Sequence, residues 1–143
     1  MVVTLARVLL GLLLIAAGAL KIGHAEALAG AIAGFRLLPP GIIAPMAVIL
    51  PYFEVLLGLY LVAGLFTRLT AYITALQFVV YAAAVASAVL RHIPANCGCF
   101  GPGDAAVADW PHVGFDLALA IVALFIAAGA PGAFALDRRL RTR

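Results

Sequence analysis

The chain is 143 residues long, 66% hydrophobic and 10% charged, with a mean hydropathy of +1.20 and a formal net charge of +3. A water-facing domain carries roughly 25% charged residues, so this composition argues against a soluble protein and for an integral membrane protein. The positive charge is not a nucleic-acid signature. Arg138, Arg139, Arg141 and Arg143 crowd the last six residues, and no basic helix interleaved with aromatics occurs elsewhere.

The first apolar segment covers residues 2–22, with Arg7 and Lys21 near its ends, where long side chains snorkel to an interface. Ala25-Glu26-Ala27 has the small-x-small form of a signal cleavage site. A lysine beside such a site is unusual, and the segment is read as retained. Residues 23–40 are too polar to span. His24, Glu26 and Arg36 alternate with Leu28, Ile32, Phe35 and Leu37 at near-helical spacing, which predicts a short amphipathic helix at the interface, ended by Leu38-Pro39-Pro40-Gly41.

A second span is expected over residues 42–66, opened by Pro45 and kinked by Pro51, with Glu54 about one turn further on. A third, over residues 69–90, carries no charge and meets the ~20 residues needed to cross. Its run Ala82-Ala83-Ala84-Val85-Ala86-Ser87-Ala88 suits close helix contact. Residues 91–111 form a polar loop ending in Trp110, an interfacial aromatic. The fourth span covers residues 112–130, with Asp116 in its first turn, and residues 137–143 form a basic tail. The expected fold is a single all-α domain: a four-helix transmembrane bundle with an interfacial helix after the first span.

Four spans place both termini on one side. That side holds Arg7, Arg68 and the four tail arginines, against Lys21, Arg36 and Arg91 on the other. The positive-inside rule then puts the termini in the cytoplasm and the loop outside, where disulfides persist. The expected location is a bacterial cytoplasmic membrane.

Both cysteines lie in that loop, in Asn96-Cys97-Gly98-Cys99-Phe100-Gly101. Gly98 adopts backbone angles that help neighbouring sulfurs meet. A disulfide over so short a loop departs from relaxed geometry, and strained disulfides are more oxidising, as an exchange site requires. Two other readings stand beside this one. The sulfurs suit a soft metal ion together with His92 or His112, although no second cysteine pair completes a standard zinc set. They also suit a fixed loop clip or a pair of idle thiols.

Glu54 is the second candidate. A carboxylate in an apolar span faces the bundle interior and finds a partner. Lys21, Asp116 and Arg91 all fall toward the cysteine loop, so a polar cluster beneath it is expected, with Lys21–Glu54 as the ion pair. That pair either fixes packing or tunes the thiols. His24, His92 and His112 share the same side and read as surface histidines. Tyr52, Tyr60, Tyr72, Tyr81 and Trp110 read as packing and belt residues. Thiol oxidation in a membrane needs an electron acceptor, and a membrane quinone between helices is the candidate, without a sequence motif to mark it.

The residues also resemble a known family, the MauE-type proteins of the DoxX/MauE membrane group. The resemblance rests on Arg7-Val-Leu-Leu-Gly11 with Ala17-Gly18-Ala19-Leu20-Lys21, on Phe35-Arg-Leu-Leu-Pro39, on Pro51-Tyr-Phe-Glu54-Val-Leu-Leu-Gly58 and on Gly64-Leu-Phe-Thr-Arg68. It ends with Cys97-Gly-Cys-Phe-Gly101 and Trp110. It implies a four-span protein linked to methylamine utilisation, working beside a thioredoxin-like partner in maturing a disulfide-rich subunit of methylamine dehydrogenase. Three functions follow as expectations. One is membrane thiol–disulfide exchange through Cys97 and Cys99, tuned by Glu54 and Lys21, with a thioredoxin-like protein or a disulfide-containing client outside. Another is soft-metal binding or transport by the same sulfurs. The third is a non-catalytic membrane anchor for a thioredoxin-like partner.

Overall fold

The computed structural model describes residues 1–96, 98, 101, 106–130, 132 and 135–137. Five helices account for most of them: α1 (Val2–Lys21), α2 (Ala25–Gly34), α3 (Pro40–Ala63), α4 (Thr67–Leu90) and α5 (Trp110–Gly129). The four long helices are each long and apolar enough to cross a membrane. Their outer faces stay apolar: Leu76 is 64% and Ile121 66% exposed, as lipid-facing positions require. The protein is a multi-pass membrane protein built as an all-α bundle. At 10 residues, α2 is too short to cross. Its buried Leu28 joins it to the fold, and it packs on α3.

Local chemistry sets the helix ends. Pro40 rather than Pro45 opens α3, because a proline at the first helical position gives up no hydrogen bond. Pro45 and Pro51 both lie inside that helix. Gly64 ends it in the left-handed conformation (φ 71°), its N–H donating to the carbonyls of Tyr60 and Leu61. The start of α4 is capped from afar. The Asp137 carboxylate accepts from the backbone N–H groups of Phe66 and Thr67, both at 2.8 Å. Asp109 caps α5, accepting from the His112 N–H at 3.0 Å, and Pro111 follows in the first turn.

The bundle is two tight pairs, α1 on α3 and α4 on α5, joined through a shared core of Leu10, Leu14, Leu57, Leu61, Ala71, Phe78, Ala123 and Ile126. In the first pair the helices are antiparallel: Arg7 meets Gly64, Gly11 meets Gly58 and Gly18 meets Pro51. Backbones touch there. A Cβ on Gly58 would lie 2.5 Å from the Gly11 carbonyl oxygen, and one on Gly18 would lie 2.6 Å from that of Pro51. The expected small-residue stretch of α4 contributes buried Ala82, Val85 and Ala88 to a second cluster with Ala95, Ala108 and Val113. Glycines serve the same purpose between α1 and α3.

Arg7 departs from expectation. It does not snorkel to an interface but is 1% exposed, packed so closely on Gly64 that a side chain there would collide with its guanidinium. The expected basic tail contributes Asp137 to the described structure, whereas Arg138–Arg143 lie outside the described residues.

Candidate functional site

Lys21 is the last residue of α1, and Glu54 lies one turn beyond Pro51 in α3. Because Gly18 has no side chain, α3 closes on α1 until Glu54 lies directly against Gly18, and Lys21, one turn further along α1, reaches back to its carboxylate. Lys21 Nζ donates to both carboxylate oxygens of Glu54, at 2.9 Å to Oε1 and 2.8 Å to Oε2. Both side chains are buried. Both are shielded from bulk solvent, and the pair is held by geometry and by further hydrogen bonds.

Those bonds come from α4. The Tyr81 hydroxyl donates to Glu54 Oε1 at 2.6 Å, and Gln77 Nε2 donates to the same oxygen at 3.3 Å and to the Tyr81 hydroxyl oxygen at 2.8 Å. Phe78 meets the Tyr81 ring edge-on, with centroids 6.3 Å apart. From α5, Asp116 enters the same region. It is 5% exposed, and its Oδ2 atom, like Gln77 Oε1, has no hydrogen-bond partner among the described residues. One lysine thus faces two buried carboxylates, one fully engaged and one open.

Above the cluster lies the described part of the cysteine loop. Its neck is closed by an antiparallel bridge between Asn96 and Val107, with Ala108 N–H donating to the Ala95 carbonyl at 2.9 Å. Asn96 Oδ1 accepts from the Gly98 N–H at 3.1 Å, an Asx-type turn. Gly98 is buried with φ +61°, and a Cβ there would lie 3.1 Å from the Ala31 methyl of α2. Gly101 rests on the end of α1, where a Cβ would lie 2.7 Å from the Leu20 carbonyl oxygen. Gly98 therefore sits against α2 and Gly101 against α1. Cys97 and Cys99, the expected exchange pair, lie outside the described residues on either side of Gly98.

Three cavities surround this arrangement, and Lys21 lines them all. One of about 90 Å³ lies between Lys21, His24, Asn96, Gly98 and Gly101. A second, of about 210 Å³, has apolar walls from α2, α3 and α4 and is also lined by Lys21, Tyr81, Asp116 and Gly98. A third, of about 50 Å³, lies between Lys21, Glu54, Tyr81, His112 and Asp116.

Arg91 and His92 lie elsewhere, whereas His112 borders the third cavity. Arg91 is exposed; its guanidinium donates to the Ser87 carbonyl and hydroxyl and to the Phe35 carbonyl, tying α4 to the end of α2. A residue just past the helix end reaches its last carbonyls more readily than the bundle interior. His92 is exposed in a turn at φ +54°. His112 Nδ1 is engaged by Asp109, and hydrogen bonds from the His112 side chain and backbone hold the Asp109 carboxyl below the usual carboxylate range. Among the described residues no three His, Asp or Glu side chains group as a metal site.

Tyr81 is not a belt residue, unlike the exposed Tyr52, Tyr60 and Tyr72; it is a hydrogen-bond donor to Glu54. Gln77 escapes a reading based on charge. The signal for both is their spacing. Two hydrogen-bonding side chains one turn apart in an uncharged span share a face that must find a polar partner.

Residues 1–133 match the family described as methylamine utilisation protein MauE. Three curated proteins, each named "Methylamine utilization protein MauE", are similar to the chain. That of Paracoccus denitrificans is 36% identical over 93% of this chain and 72% of its own length. That of Methylorubrum extorquens is 34% identical over 88% and 68%. That of Methylophilus methylotrophus is 32% identical over 86% and 66%. No solved structure matches the chain. With the family match running through all four apolar helices and the loop between α4 and α5, the chain belongs to the MauE family.

Proposed function

We propose that this chain is a thiol–disulfide exchange component of the bacterial cytoplasmic membrane, serving methylamine utilisation through Cys97 and Cys99. The observation that carries the reading is the buried Lys21–Glu54–Tyr81–Gln77 network lying under Gly98, the residue between the two cysteines. The pathway follows from the names of the relatives. The orientation follows from the arginine asymmetry: termini in the cytoplasm and the cysteine loop outside.

In the reaction, a thiolate of the client attacks one sulfur of the Cys97–Cys99 disulfide. An S–S bond forms to the client as the internal one breaks, and the released sulfur leaves as a thiolate. The client's second thiolate then attacks the mixed disulfide. The client leaves oxidised and the Cys97–Cys99 pair is left as two thiols, so electrons and sulfurs balance. The client is a disulfide-forming subunit or a thioredoxin-like intermediary. Lys21 and Gly98 line the same cavity, and Glu54 with its hydrogen bonds fixes the lysine there, so the network positions the loop on which the sulfurs sit. These are positioning roles; the reacting atoms are the two sulfurs.

The test is trapping. With one of the two cysteines replaced, Cys97→Ser or Cys99→Ser, a mixed disulfide with an exported client should accumulate on non-reducing gels. The double variant should trap nothing and fail to support an active methylamine dehydrogenase. A double variant that supports full activity would reduce the chain to an anchor.

A further inference from the structure

We infer that the 210 Å³ cavity between α2, α3 and α4 receives the ring of a membrane quinone, which re-oxidises the cysteine pair. The inference rests on the exchange reading for its redox step, but the binding site stands on its own geometry. The cavity is walled by Ile32, Phe35, Met46, Leu50, Ala84 and Val85, all apolar. Lys21, Tyr81 and Asp116 also line it and are its polar members. It is smaller than the ~300–1,000 Å³ pockets that enclose drug-sized ligands. That suits one substituted ring whose isoprenoid tail continues into lipid.

The polar members select the head group. Among the described residues Asp116 Oδ2 is buried without a hydrogen-bond partner, a costly state unless a ligand or a proton satisfies it. Lys21 spends two of its three N–H groups on Glu54 and keeps one. A quinone carbonyl accepts from that N–H or from protonated Asp116, and the quinol hydroxyl donates back to ionised Asp116. One group thus serves both redox states. A phospholipid head fits badly, because its phosphate would face two carboxylates, Glu54 and Asp116, against a single lysine.

The chemistry balances with this acceptor. Two thiols release two electrons and two protons and close one S–S bond. The two carbonyl oxygens of the quinone take both and become the two hydroxyls of the quinol. Gly98, between the cysteines in sequence, lines the same cavity, so the loop backbone and the ring site are contiguous.

The experiment uses the whole protein in quinone-free phosphatidylcholine nanodiscs. A photoreactive azido-ubiquinone is cross-linked and mapped, with decylubiquinone as competitor. The expected label lies on α3 and α4 peptides around Met46, Leu50 and Ala84, and excess decylubiquinone abolishes it. Ala84→Phe, which fills the cavity, should reduce labelling at least tenfold. Asp116→Asn, which keeps shape but removes the carboxylate, should weaken competition about tenfold. Unchanged melting of each variant shows that it folds. Label that is not displaced, or that maps only to outer faces such as Leu76 and Ile121, overturns the proposal, as does displacement by phosphatidylethanolamine rather than by quinone. The Cys97→Ser, Cys99→Ser variant separates the two readings. Competed labelling that persists in it, with quinol formation from added dithiol lost, supports both site and step. Quinol formation that continues without the cysteines overturns the redox coupling while the binding result stands apart.

Discussion

Replacing Glu54 by alanine is the sharpest perturbation of the buried network. The wild-type carboxylate accepts four hydrogen bonds, two of them from Lys21, and its side chain is 2% exposed against 4% for Lys21. Removing it leaves the buried ammonium without its hydrogen-bonded partner, with only Asp116 as a nearby carboxyl, and strips Tyr81 and Gln77 of their shared acceptor. Breaking one partner of such a pair costs about 3–5 kcal/mol, of which the cavity left by the side chain is a smaller share. Glu54→Gln should cost less, because the amide keeps the shape and one oxygen acceptor. Glu54→Gln with Lys21→Met should restore most of the stability, since both members of the hydrogen-bonded charge pair are removed together. Reversible unfolding in detergent, with a lipid-facing control such as Leu76→Ala, measures the series. A Glu54→Ala variant within about 0.5 kcal/mol of that control would refute the argument that the pair is dry and mutually dependent. Exchange activity of the double variant then sorts its two roles. If it is stable and fully active, the charges serve packing alone; if it is stable and inactive, they position the loop chemistry.

Gly58→Ala should destabilise the α1–α3 pair by about 1–3 kcal/mol through overpacking on the Gly11 carbonyl, although alanine in an open helix would be favoured by up to about 1 kcal/mol; a stabilised variant in thermal melts would show that the helices are not in backbone contact. Asp109→Ala should speed hydrogen exchange at the His112 N–H by uncapping α5. Since the folded Asp109 carboxyl lies below its ordinary range, the cap is fully present above the ordinary carboxylate pKa and is lost as pH falls through the lower folded value; a cap that weakens on raising pH from 5 to 8 would contradict the assignment. A membrane-impermeant thiol reagent should label reduced intact cells through Cys97 or Cys99, and labelling only after permeabilisation would invert the topology.

Much of this protein was legible in the chain itself. Four apolar segments and a polar loop report the bundle directly, because in lipid a backbone has few ways to satisfy its hydrogen bonds and helices of ~20 residues are the simplest. Glu54 stood out because a carboxylate costs so much in an apolar span, and Lys21 because it was the cation at the matching depth. What the linear order could not express is rotation. Whether Arg7 snorkels or is buried against Gly64, and whether Arg91 joins the cluster or turns back on Ser87, depends on which helix face meets which neighbour. In α3 and α4, apolar on every side, hydropathy has almost no periodic component to set that rotation. Tyr81 and Gln77 were hidden for the same reason. Only the packing decided that their face of α4 turns toward Glu54, that glycine contacts bring α1 onto α3, and that Gly98 lines the cavity bordered by Asp116, whose Oδ2 has no hydrogen-bond partner among the described residues.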